Sequence, residues 1–159
     1  MRSLMSFVSL PSSTQAEAKP IANDGFFPDI ALADIRIIGR VITAVDDDCL
    51  RATVIAAIVT VARDLTSWAE KQKAAGHATL ADVPAPRIDG KSRLIHLYIR
   101  AVALFAKAEL VDRLRDFDTT AAGGKSIDEL GGTADDLRRD ATHAIRDILG
   151  TLRTKVELI

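Results

Sequence analysis

Aromatic residues are scarce in this 159-residue chain: five phenylalanines, one tryptophan and one tyrosine make up only 4% of it. Hydrophobic residues nevertheless reach 48%, so Ala, Leu, Ile and Val must form the core, a composition that favours close-packed helices. There is a single cysteine, Cys49, which excludes an internal disulfide and gives no sign of an oxidising compartment. An excess of one charge is missing too. The formal net charge is −1, whereas a dedicated nucleic-acid surface normally brings a basic excess. Long apolar runs are also absent. Val54 to Ala62 is broken by Thr60, and Arg93 to Lys107 is interrupted by His96 and Arg100; a bilayer span needs roughly 18 apolar residues or more. The opening residues, Arg2 and Leu4 to Leu10, imitate a signal peptide only faintly. Their apolar run is short, and Gln15-Ala16-Glu17-Ala18 is a poor cleavage site. These absences predict a soluble, single-domain chain with no membrane partner and no sequence-specific nucleic acid.

Motifs that carry chemistry are equally thin. Gly90-Lys91-Ser92 and Gly123-Gly124-Lys125-Ser126 resemble the end of a phosphate loop. Such a loop needs an earlier glycine, and Ala85 and Thr119 stand there instead. His77, His96 and His143 are too far apart to form a local metal pair with one another or with Cys49. Asp46-Asp47-Asp48 suits a helix N-terminus better than a cation site, and Cys49 is expected to pack as a small apolar residue. No catalytic, metal or cofactor residues are expected.

What the chain does contain is helical periodicity. Residues 1–24, rich in Ser, Ala, Glu and Lys and punctuated by Pro11 and Pro20, read as a flexible arm. Order is expected from Phe26-Phe27-Pro28, with Asp29 capping a short helix that buries Ile30, Ala33, Ile37 and Ile38 and stops at Gly39. Val41 to Val45 reads as an extended linker. The three aspartates then open a long helix that ends near Gly76. Its seam is Leu50, Val54, Ile58, Val61, Leu65 and Trp68, and Ile55, Val59 and Ala62 widen it, as expected for a central helix. A loop from about Gly76 to Gly90 leads to a third helix, about Ser92 to Asp116. This helix is expected to bury Leu94, Leu97, Tyr98, Ala101, Leu104, Phe105, Ala108 and Val111. On its outer side Arg93, His96, Arg100 and Lys107 fall in one narrow arc, a candidate secondary interface for an acidic neighbour.

After a glycine-rich loop, Thr133 and Asp136 form a capping-box-like start to a fourth helix. Leu137, Ala141, Ala144, Ile145 and Ile148 mark its buried face, and Gly150 its stop. Beyond Gly150 the period changes from 3.6 to 2. Leu152, Thr154, Val156 and Leu158 alternate with Arg153, Lys155 and Glu157 before Ile159. A lone strand at the end of a helical chain leaves its backbone groups unpaired until another edge satisfies them. Leu152, Arg153, Lys155, Val156, Glu157, Leu158 and Ile159 are therefore the expected partner-binding residues, by strand addition. The organisation expected is an arm over 1–24, an all-α domain of about four helices over 25–150, and an extended tail over 151–159.

Several blocks resemble one known family. Gly25-Phe26-Phe27-Pro28-Asp29-Ile30-Ala31-Leu32-Ala33-Asp34 is similar to the opening of the head completion (stabilisation) proteins, the GPL family, of contractile-tailed temperate phages. Ala78 to Ala85, Ile88 to Asp118, and Ala134 to Gly150 with Thr154 to Ile159 are similar as well, so the resemblance runs in register over about residues 25 to 159. It implies a non-enzymatic structural virion protein, a head–tail connector adaptor at the neck, present in the host cytoplasm during assembly. Such an adaptor binds the portal protein after DNA packaging, helps retain the genome and offers a docking surface to the next neck protein. A ring of copies, dodecameric to match the portal, is implied too, with the tail reaching the portal. The alternative is a cytoplasmic helical regulator that binds a host protein through the same tail.

Overall fold

Four helices dominate the computed structural model, which describes residues 19–117 and 133–151, with only the backbone described for residues 114–117. They are α1 (Leu32–Gly39), α2 (Asp47–Ala74), α3 (Arg93–Phe117) and α4 (Ala134–Leu149), joined between α2 and α3 by a short 3-10 turn and a two-stranded hairpin. The described fold is all-α apart from that hairpin and one isolated bridge. No helix among the described residues is long and apolar enough to cross a membrane.

Local chemistry sets the helix ends. The Asp46 carboxylate accepts a hydrogen bond from the Cys49 N–H at 2.8 Å, and Asp47 and Asp48 add negative charge in the first turn of α2. At the start of α4 the Thr133 hydroxyl accepts from the Asp136 N–H at 3.1 Å. The Asp136 carboxyl is held below its usual range by the Thr133 hydroxyl and then by Arg139. Gly150 closes α4 in the left-handed region, at φ 69°. The expectations for α1 need correction. Ala31, not Asp29, occupies the N-cap position, and Arg40, not Gly39, takes the left-handed conformation at the C-terminus. Asp29 instead accepts from the Asn23 N–H. The buried residues of α1 are Leu32, Ile35 and Gly39, while Ala33, Ile37 and Ile38 face outward. Gly39 lies so close to α3 that a side chain there would meet Val41 and the Ala103 carbonyl.

The larger correction concerns which helix is central. α3 packs against α1, α2, α4, the hairpin and the 3-10 turn. Its residues from Ala101 to Ala108 are buried on every side except at half-buried Phe105. Alanines at 101, 103, 106 and 108 keep the side chains short, so neighbouring helices approach from several directions. α2 is flanking. It buries Leu50, Thr53, Val54, Ala57, Val61, Leu65 and Ala69, leaves Ile58, Ala62 and Trp68 half-buried, and turns Ile55 and Val59 to solvent.

The loop expected between α2 and α3 contains a small hairpin. β1 (Arg87–Ile88) pairs antiparallel with β2 (Lys91–Ser92), with Ile88 opposite Lys91. Asp89 and Gly90 make the two-residue turn at φ 47° and 71°. Positive φ at both positions is what a hairpin turn matched to strand twist requires, and Asp-Gly supplies it. The Gly90-Lys91-Ser92 tripeptide is thus part of a hairpin, not a phosphate loop; Gly123 to Ser126 lies outside the described residues.

The N-terminal segment corrects the expected arm. Ile21 is buried, and its N–H and C=O exchange hydrogen bonds with Ile30 at 2.8 and 3.0 Å. Asp24 accepts from the Phe26 and Phe27 N–H groups at 3.0 Å each. That turn delivers both rings to the core. Phe27 stacks on Tyr98 at 4.6 Å between centroids, and Phe26 meets Phe27 and Trp68 edge-on. Four of the chain's seven aromatics therefore form one clamp that ties residues 21–30 to α2 and α3. Asn23 Nδ2 donates to the Tyr98 hydroxyl at 2.8 Å and to the Pro28 carbonyl at 3.2 Å. Packing therefore begins before Gly25, and residues 1–18 lie outside the described residues.

Candidate partner-binding surfaces

α3 and α4 carry the surfaces that sequence reasoning singled out. They pack along most of their length, with Leu104, Ala108 and Val111 against Ala134, Leu137 and Ala141. Arg138 on α4 pairs with Asp112 on α3 and reaches Asp135 at 3.4 Å, a partly exposed link whose energy water screens. The antiparallel arrangement brings the end of α4 back to the start of α3. Arg93, Leu97, Asp147, Gly150 and Thr151 line a shallow cleft there. The chain leaves the described domain at this cleft, where the Thr151 N–H donates to the Arg146 carbonyl at 3.0 Å. The tail residues Leu152, Arg153, Lys155, Val156, Glu157, Leu158 and Ile159 lie outside the described residues.

The stripe on α3 does not form one patch. Arg93 and Arg100 are exposed. His96 is half-buried, and its Nε2 is 2.9 Å from the Ile88 carbonyl. Because a carbonyl can only accept, Nε2 is the protonated nitrogen; His96 thereby fastens the hairpin to α3. Lys107 departs from the stripe altogether: it is only 5% exposed. Its stem is covered by α1, with its Cβ close to Gly39. Burial, and then the charge of Arg40, push the Lys107 ammonium below its ordinary range. Sequence spacing put Lys107 on the same arc as Arg93, His96 and Arg100 but could not foresee that α1 would cover that stretch of helix.

Sequence reasoning missed three features. The first is Arg40, which the chain turn after α1 brings beside Lys107. The second is the solvent-facing apolar row on α2. The third is the polar anchor of the clamp, Asn23, although the hairpin and the clamp were both signalled by short motifs, Asp89-Gly90 and Phe26-Phe27-Pro28. Among the described residues no three His, Cys, Asp or Glu side chains gather as a metal site would require. Cys49 is a half-buried free thiol.

The model of the phage head completion protein (GPL) family matches residues 21–159. The chain belongs to that family. It is 37% identical over 139 residues to the head completion/stabilization protein of Escherichia phage P2, covering 87% of this chain and 82% of that protein. It is 30% identical over 142 residues to the probable head completion/stabilization protein of Haemophilus phage HP1, covering 87% and 91%. No solved structure matches the fold. The match begins at Ile21, the first buried residue described, so it takes in the packed N-terminal segment as well as the helices.

Proposed function

We propose that this chain is a structural head completion adaptor of a phage virion. In this reading it binds the portal after DNA packaging, helps to retain the genome, and presents a docking surface to the next neck protein. It acts as a ring of copies, dodecameric to match the portal, in the neck of the virion, and is in the host cytoplasm during assembly. The observation that carries the reading is the family match over residues 21–159, which takes in both the helical domain and the segment beyond it. The geometry supports a division of labour. Gly150 ends α4 at the surface, so the eight residues after Thr151 follow a domain whose described helices are already packed. Their alternating pattern suits strand addition to a partner edge, with Leu152, Val156 and Leu158 selecting it and Arg153 and Lys155 steering an acidic surface.

The test is truncation after Gly150. The truncated protein is expected to keep its helical circular dichroism and lose attachment to packaged heads, read as incorporation into virions. Normal incorporation of the truncated protein would remove the tail from the portal contact and move attention to Arg93 and Arg100 on α3.

A further inference from the structure

Lys107 is a cation without a counter-ion among the described residues. No hydrogen bond or ion pair to it exists among the described residues, and the charge that acts on it is another cation, Arg40. No described side-chain nitrogen or oxygen is both sealed from solvent and unbonded. The small exposed part of Lys107 must therefore include its ammonium, which emerges from a buried stem beside Arg40. Arg40 is exposed, with no ion-pair partner among the described residues, in the left-handed conformation at φ 50°. The negative end of the α1 dipole offsets part of this charge, yet no carbonyl among the described residues bonds the ammonium. Beside this seat Ile37 and Ile38 are 75% and 40% exposed. A cationic seat with an apolar rim fits a carboxylate presented beside apolar side chains.

The same chain presents such a surface. On α2, Asp48, Ala52, Ile55 and Val59 follow at spacings of four, three and four residues, and so share one face. Ile55 and Val59 are 45% and 64% exposed. Asp48 is exposed, with no ion-pair partner among the described residues, whereas its neighbour Asp47 is held by Arg36 at 2.7 Å. We infer that a second copy of this chain covers the α1 end, with its Asp48 entering the Arg40–Lys107 seat and its Ile55 and Val59 resting on Ile37 and Ile38. Two different, complementary surfaces on one chain are what a heterologous contact needs, and such contacts generate a ring when the rotation between copies closes. The inference deepens the ring part of the function proposed above and rests on it for the existence of self-association.

The experiment is sedimentation velocity on the purified full chain at low and high salt, with thermal unfolding alongside. Self-association that weakens at high salt is expected for the wild type. Arg40→Glu and Asp48→Arg should each yield monomers, and the double variant should associate again. Arg40→Glu should also raise the thermal midpoint, because it gives Lys107 a counter-ion within its own chain. Lys107→Met should keep the helical circular dichroism and lose association. A wild type that is monomeric throughout, single variants that associate normally, or a double variant no better than the singles would overturn the inference. Failure of the portal reading is separate: it would appear as self-association of this kind without attachment to packaged heads.

Discussion

α2 and α3 are both long and both rich in apolar residues, yet they hold opposite positions in the fold. α2 contains the most continuous apolar run in the chain, and it faces solvent with Ile55 and Val59. α3 carries Arg100 and Lys107 within its apolar stretch, and it is the helix that everything else packs against. The difference lies in side-chain size rather than in hydropathy. Alanines on several sides of α3 admit neighbours at short distance, and a lysine stem behaves as an apolar chain when its ammonium can reach the surface. The larger β-branched residues of α2 spread around the helix, and only one side of it meets a partner among the described residues.

The sharpest way to break this comparison is to test both faces of α2. Leu65→Ala, on the fully buried side, should cost roughly 2–5 kcal/mol through lost burial and a residual cavity. Chemical denaturation checks it; an unchanged midpoint would mean that α2 contributes little to the core. Ile58 sits at the margin of that face, half-buried, so Ile58→Ala should fall below the Leu65→Ala loss.

The alanines of α3 offer the complementary test. Ala103→Leu should destabilise by about 1–3 kcal/mol, because the residue is fully buried and extra methylenes force strain. A neutral or stabilised variant would show that the packing around α3 yields more readily than the burial of Ala103 implies.

Tyr98 sharpens the picture of how the N-terminal clamp is fastened to α3. Burial raises its phenol to about 12 from 10.0, against the lowering effect of the Asn23 hydrogen bond, with a further small push upward from Asp24. The folded state therefore holds this proton after the unfolded chain has released it. Its contribution is complete below pH 10, declines between pH 10 and 12, and is lost above the folded value. Tyr98→Phe should cost about 1 kcal/mol at neutral pH and should make the alkaline decline shallower than in the wild type. Unfolding curves of the two proteins across that range give the comparison; parallel declines would place the alkaline sensitivity elsewhere.

The smallest expected effect is Val59→Ser on the outer face of α2. For the isolated chain it should lie within about 0.5 kcal/mol of the wild type, as surface changes usually do. A larger loss in dilute monomer would show that this face is covered within the chain.

By itself the sequence determined the features that depend on neighbours a few residues away. Asp46 and Thr133 cap helices because their side-chain oxygens reach backbone N–H groups three residues on. Gly150 ends α4 because glycine enters the left-handed region freely. The buried face of α4 followed from a strong amphipathic period, and Leu137, Ala141, Ala144, Ile145 and Ile148 are all buried. The Asp89-Gly90 hairpin and the Phe26-Phe27 clamp were present as local motifs, but what they would pack against was not. Tertiary structure alone decided that α3 is central, that Asn23 meets Tyr98 across 75 residues of sequence, and that α1 covers Lys107. Periodicity gives the angular width of an apolar face, but it does not say which neighbour arrives or which sides remain open. Arg40 acts on Lys107 only because a left-handed turn after an eight-residue helix brings one cation into the field of another, a coincidence of two distant segments that no local pattern encodes.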